Sequence, residues 1–195
     1  MPDNLEMRLK CAAHDLAICQ MGSPGKTLWV GSQTAAKAVG ADRHLVVSLI
    51  LWSTVLVIAP EAFAFMFSLG PVLRLPPALR HIGEDAFANC QSLQEILLPP
   101  GVARLAPRVF MGCCNLLKFV VPDGVLEICK RAFGGCTRLA TVDLPEGLHS
   151  VGSSAFEGCA TLTAVTLPTT VVRVGACTFR DCHRLVTVVL PAGLA

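Results

Sequence analysis

Residues 144–168 read LPEGLHSVGSSAFEGCATLTAVTLP, opening and closing on the same Leu-Pro pair. Either the lone cysteine marks chemistry or the symmetry marks structure, and the rest of the chain decides between them. Working outward, Pro76, Pro99, Pro122, Pro145, Pro168 and Pro191 fall 23 residues apart. Phe87, Phe110, Phe133, Phe156 and Phe179 keep the same step of 23, as do Cys90, Cys113, Cys136, Cys159 and Cys182. Leu93, Leu116, Leu139, Leu162 and Leu185 make a further column. A fixed period of this length is the signature of stacked supersecondary units.

The unit is L-x-x-V-x-L-P-x-x-L-x-x-I-G-x-x-A-F-x-G-C-x-x, taking the commonest residue in each column. Its first part, as in LTAVTLP, is a short β segment with Leu162, Val165 and Leu167 pointing inward. The proline lacks an N–H and ends ladder pairing. The part around SSAFEGC is expected to form a turn and one short helical or 3-10 segment, with Phe and Cys directed into the core. One unit cannot bury its own apolar face, whereas stacked neighbours can.

The I-G-x-x-A-F-x-G-C-x-x-L-x-x-V-x-L-P pattern resembles the BspA-type leucine-rich repeats of bacterial and protist surface antigens, from Pro76 to Leu194. Val109 and Thr178 stand where the pattern has Ala, Thr170 where it has Gly, and Cys129 takes the column of Gly83. The expected fold is an α/β solenoid, a leucine-rich repeat array with 23-residue coils. Its parallel β-ladder lines a concave face, and short helical or 3-10 turns line a convex one. The resemblance implies a non-catalytic protein-interaction module, with adhesion and surface recognition as typical roles.

Composition agrees with a folded scaffold. The chain of 195 residues is 53% hydrophobic and 15% charged, against about 25% charged in a typical globular protein. A formal net charge of +2 and the lack of a Lys/Arg run argue against a nucleic-acid partner. MPDNLEMRLK carries Asp3 and Glu6 before any apolar stretch and does not have the pattern of a signal peptide. A reducing, cytoplasmic setting with free thiols is therefore expected for the ten cysteines.

The sequence divides into an irregular segment or cap (1–37), degenerate repeats (38–75) and regular repeats (76–195). Residues 45–59, LVVSLILWSTVLVIA, are shorter than a spanning helix, which needs about 20 apolar residues. Trp52, Val55, Ile58, Ala62 and Phe63 repeat the offsets of Pro76, Leu79, Ile82, Ala86 and Phe87 at a step of 24, with Leu49 and Leu51 as strand positions. That register favours a decayed repeat over the alternative of a membrane-associated surface protein anchored by residues 45–69. AVGADRHL (38–45) echoes AFANCQSL (86–93) more weakly.

Candidate chemistry is thin. LAICQMGSPGKTLWVG (16–31) has the flavour of a phosphate-binding P-loop, with Lys26 for β/γ oxygens and Thr27 for magnesium. Gln20 stands where the first Gly is required, and Gly22 to Gly25 leaves a loop two residues short. Nucleotide binding is thus a remote alternative. The ladder cysteines form a line, one per coil at about 5 Å, rather than a point at which zinc ligands converge. They are expected to act as small core residues, whereas Cys114 and Cys177 are expected to be exposed and reactive. His183 follows Cys182, yet adjacent columns point in opposite directions. His14, His44, His81, His149 and His183 lack H-E-x-x-H spacing, and Glu84 and Asp85 are consecutive surface positions. No cofactor, metal, catalytic residue or small-molecule substrate is expected.

What remains is the outward face of the strands. Its columns contain Gln94, Glu95, Leu97, Leu117, Lys118, Val120, Ala140, Thr141 and Asp143, then Thr163, Ala164, Thr166, Val186, Thr187 and Val189. This mildly apolar, threonine-rich surface suits a protein or an extended peptide. The chain stops at LPAGLA without a polar cap, so self-association through an open C-terminal strand edge is a further expectation.

Overall fold

A parallel partner one coil away, at nearly constant residue spacing, organises the computed structural model. It describes residues 44, 46–51 and 53–194, together with the backbone of 7–10, 16–21 and 26–30. Strands β1 (Met7–Lys10), β2 (Leu16–Met21) and β3 (Lys26–Val30) form an antiparallel meander, and β3 runs parallel to β4 (Val46–Leu51). Strands β1 to β3 all fall within the segment 1–37, which the sequence offered as an irregular segment or a cap. LAICQM and KTLWV form β2 and β3, and β3 covers an edge of β4 that would otherwise leave its N–H and C=O groups unpaired.

From there each coil contributes a two-residue strand and a three-residue strand. The short series is β5 (Val57–Ile58), β7 (His81–Ile82), β9 (Arg104–Leu105), β11 (Glu127–Ile128), β13 (Ser150–Val151) and β15 (Arg173–Val174). The longer series is β6 (Val72–Arg74), β8 (Glu95–Leu97), β10 (Lys118–Val120), β12 (Thr141–Asp143), β14 (Ala164–Thr166) and β16 (Thr187–Val189). All are parallel to their coil neighbours: β9, β11, β13 and β15 form one sheet, while the longer strands pair as β6–β8, β10–β12 and β14–β16. The protein is a parallel-strand solenoid with a 23-residue spacing, and the second ladder along the short strands was not anticipated from sequence.

The expected helical or 3-10 segment is a run of β-turns instead. In the coil of Phe87, the N–H groups of Ala86, Ala88 and Cys90 bond backwards to the carbonyls of Gly83, Asp85 and Phe87. The alternate N–H groups, of Asp85, Phe87 and Asn89, reach the carbonyls of Pro107, Val109 and Met111 in the next coil at 3.1, 3.0 and 2.7 Å. A helix would commit each of these N–H groups within its own segment. Here half of them tie coils together, which requires left-handed backbone at Asp85 (φ 56°) and Asn89 (φ 60°). In later coils the second position is Gly112, Gly135 or Gly158, with φ of 72° to 75°. The repeated Gly of the A-F-x-G-C motif is explained by that backbone requirement.

The core is a stack of equivalent residues. Phe63, Phe87, Phe110, Phe133 and Phe156 are fully buried, and successive rings from Phe63 to Phe179 lie 5.2–5.9 Å apart. Phe119, in a column otherwise aliphatic, wedges between Phe110 and Phe133 at 5.2 and 4.7 Å. Val55, Ile58, Ala62, Phe63, Met66 and Leu69 are buried in the same core, with Met66 in the cysteine column. The step of 24 is seen directly in the pairing of Ile58 with Ile82, whereas Leu73 pairs with Ile96 at a step of 23. The extra residue falls at Gly70–Pro71, where a Cβ on Gly70 would stand 2.5 Å from the Ser92 carbonyl oxygen. Among the described residues no helix is long and apolar enough to cross a membrane. Trp52, His14 and nearly all of residues 38–45 lie outside the described residues.

Candidate functional site: the face of the three-residue strands

Strands β6, β10, β12 and β14 bury their central residue and expose the flanking pair, as period-two geometry dictates; in β8 the flanking Glu95 and Leu97 are half-buried, and in β16 the central Val188 is. Parallel registers put equivalent residues side by side: Val72 with Glu95, Lys118 with Thr141, and Ala164 with Thr187. The second exposed row pairs Arg74 with Leu97, Val120 with Asp143, and Thr166 with Val189. Gln94 and Thr163 sit just before these strands, and their carbonyls accept the N–H groups of Leu117 and Val186 in the following coil. All twelve residues expected on this surface therefore share one face: Gln94, Glu95, Leu97, Lys118, Val120, Thr141, Asp143, Thr163, Ala164, Thr166, Thr187 and Val189.

The first exposed row is neutral in charge. Glu95 and Lys118 neutralise one another across 3.2 Å. Val72, Val120 and Val189 remain about half exposed, and Val186 is 87% exposed. Val72 and Arg74 extend the same rows into the coil before Gln94. Sequence reasoning missed both because the residue inserted at Gly70–Pro71 hides the strand register there. Two cavities open beside the rows. One, of about 330 Å³, is lined by Thr141, Asp143, Glu146, Ala164, Thr166 and Pro168. The other, of about 530 Å³, lies between Leu49–Leu51 and Val72–Arg74.

Elsewhere polar groups are engaged in the scaffold. Each ladder thiol donates to the carbonyl of the phenylalanine one coil earlier: Cys90 to Phe63, Cys113 to Phe87, Cys136 to Phe110, Cys159 to Phe133 and Cys182 to Phe156, at 3.1–3.4 Å. Burial pushes the Cys90 thiol up to about 12, and those of Cys113, Cys136 and Cys159 are raised by the same cause. These groups are protonated donors, with little thiolate character. Cys177 is exposed as expected, whereas Cys114, expected to be exposed, is half-buried. Cys129, in the Gly83 column, is buried and accepts Arg104 Nε at 2.8 Å, while Arg104 also pairs with Glu127 at 3.0 Å. Burial raises the Cys129 thiol although the Arg104 contact opposes the shift.

Glu84 and Asp85 both hold Arg108, whose Nε lies 3.0 Å from both Asp85 carboxylate oxygens. They are ion-pair partners between coils. The half-buried Cys182 bonds Phe156 rather than the exposed His183. Among the described residues no cluster of three or more His, Cys, Asp or Glu could hold a metal ion. Lys26 and Thr27 begin β3, antiparallel to β2, with Met21 paired to Lys26. A P-loop lysine instead opens a helix whose N–H groups face phosphate, so the nucleotide-binding alternative fails on chain direction. Gly22 and Gly25 themselves lie outside the described residues.

Residues 104–195 match the model of the BspA type leucine rich repeat region, in six copies. Among solved structures, a leucine rich repeat protein of T. pallidum is 28% identical with a TM-score of 0.74, covering 89% of this chain and 79% of that one. A leucine-rich repeat protein from Bacteroides ovatus is 20% identical, with a TM-score of 0.65 over 83% of this chain and 53% of that one. A leucine rich cell surface protein from Faecalibacterium prausnitzii is 21% identical, with a TM-score of 0.54 over 93% and 54%. The last two share the fold, and this chain spans about half their length. No curated protein matches the chain.

Proposed function

We propose that this chain, whose residues 104–195 are a BspA-type leucine-rich repeat region, is a non-catalytic recognition module that binds a protein or peptide on the face of its three-residue strands. The observation that carries this reading is the exposure of Val72, Val120, Val186 and Val189 on one rigid face, among threonines and a self-neutralised Glu95–Lys118 pair. Apolar side chains held in fixed registry recover free energy on contact with a partner while costing little ordering entropy. Solenoids offer such extended surfaces for binding.

The test replaces Leu97, Val120 and Val189 together by glutamate. Their neighbours Ile96 and Phe119 are the buried residues of β8 and β10, and Val188 is half-buried, so the circular dichroism spectrum and thermal midpoint should be retained. Partner capture from the organism's own lysate should be lost. Capture at the wild-type level would move the site off this face. The same reading places the protein in the cytoplasm, where the thiols of Cys114 and Cys177 would stay reduced; recovery of the protein on the cell surface by fractionation would refute that placement.

A further inference from the structure

The second exposed row has a polarity of its own. It runs Arg74, Leu97, Val120, Asp143 through four successive coils, with Arg74 beside Leu97 and Val120 beside Asp143 by strand pairing. Strands β8 and β10 lie side by side, joined by the Leu117 N–H to Gln94 carbonyl bond of 3.0 Å. Arg74 and Asp143 are both exposed, and neither makes an ion pair or side-chain hydrogen bond among the described residues. This sets them apart from Glu95 and Lys118 in the first row, which neutralise each other. Each also lines one of the two cavities on this face. Arg74 closes the larger one, whose other walls are the aliphatic residues Leu49, Ile50, Leu51, Val72 and Leu73. Asp143 shares the other with a second carboxylate, Glu146.

We infer that the occupant of this face is an extended peptide segment poled in charge, with an acidic side chain at Arg74, an apolar one over Leu97 and Val120, and a lysine or arginine at Asp143. The inference rests on the proposal that this face binds a partner. Three strand spacings separate Arg74 from Asp143, about 14 Å. In an extended peptide, residues i and i+4 project from the same side about 13.5 Å apart, with i+2 midway. The pattern acidic-x-apolar-x-basic therefore matches the row in length and in chemistry. The second carboxylate, Glu146, deepens the negative field at one end only, so a peptide bound in the reverse direction would meet like charge at both ends.

Selection of a displayed random heptapeptide library on the intact protein tests this directly. Enriched peptides should carry the acidic-x-apolar-x-basic spacing. A synthetic peptide of that pattern should lose about tenfold in affinity on Arg74→Glu or Asp143→Lys, and weaken with added salt. The double variant Arg74→Glu, Asp143→Lys should prefer peptides with the two charges exchanged, a gain that unfolding cannot mimic. Enriched peptides without charge order whose binding is lost on Val120→Arg would overturn the poled occupant while keeping the binding face. Peptides indifferent to all of these changes would overturn both, and failure to enrich any peptide would overturn the peptide inference.

Discussion

The thiol of Cys136 donates to the backbone carbonyl of Phe110, 3.2 Å away and one coil earlier, and the same carbonyl accepts the N–H of Cys113. The cysteine column is thus both filler and fastener. Cys136→Ala should cost about 1–2 kcal/mol, combining the lost sulfur volume with the lost donor. Cys136→Ser, which keeps a donor, should be less damaging than Cys136→Val, which keeps bulk but cannot donate. Urea unfolding of the three variants checks this, and a reversed order of Ser and Val would reduce the thiol to packing alone.

Stability should fall in alkaline solution. In the unfolded chain thiols ionise from about pH 8.5, whereas burial holds Cys90 protonated up to about 12 and raises Cys113 and Cys136 as well. The unfolded state then binds fewer protons than the native one, so stability is intact below pH 8.5 and declines as pH rises toward 12. Each such thiol contributes a slope of up to ~1.4 kcal/mol per pH unit. Urea midpoints measured between pH 7 and 10 should show the decline beginning near pH 8.5.

Thiol labelling should separate the cysteines by position. Among the eight cysteines whose side chains are described, Cys177 should react fastest with a maleimide or disulfide reagent in the native state, and Cys114 next. Cys90, Cys113, Cys136 and Cys159 should react only after denaturation, because burial removes both access and thiolate. Peptide mass mapping reads the order.

The two glycines Gly134 and Gly135 should respond differently to alanine. Gly135 has φ 75°, where a Cβ costs about 1–2 kcal/mol by backbone strain. At Gly134 no left-handed backbone is required, and an added Cβ would meet the Arg131 Cβ at 3.4 Å, an ordinary contact. Gly134→Ala should therefore be near neutral. Thermal unfolding of both variants gives the comparison.

Phe133→Ala should be the most damaging single change among these. The ring is fully buried and stacks on Phe110 at 5.6 Å and Phe156 at 5.2 Å, with Phe119 edge-on at 4.7 Å. Its loss should cost about 3–5 kcal/mol. By contrast Val120→Thr, on the exposed row, should stay within about 0.5 kcal/mol. Chemical denaturation measures both.

How much of this was legible in the chain follows from which property is local. The period of 23, the inward Phe, Cys and Leu columns and the outward strand rows are sequence regularities, and the amino acids alone fixed which side of each coil is apolar. Only the stacked structure decided where the backbone of the AFxGC segment spends its N–H groups. The same residues would suit a helical turn until the next coil offers the carbonyls of Pro107, Val109 and Met111. The carbonyl partners of the cysteine thiols, the antiparallel meander over β4, and the entry of Arg74 into the exposed row are likewise tertiary facts. Each depends on what lies one coil away, and a repeat specifies its neighbour's position while leaving open which of the neighbour's groups it will meet.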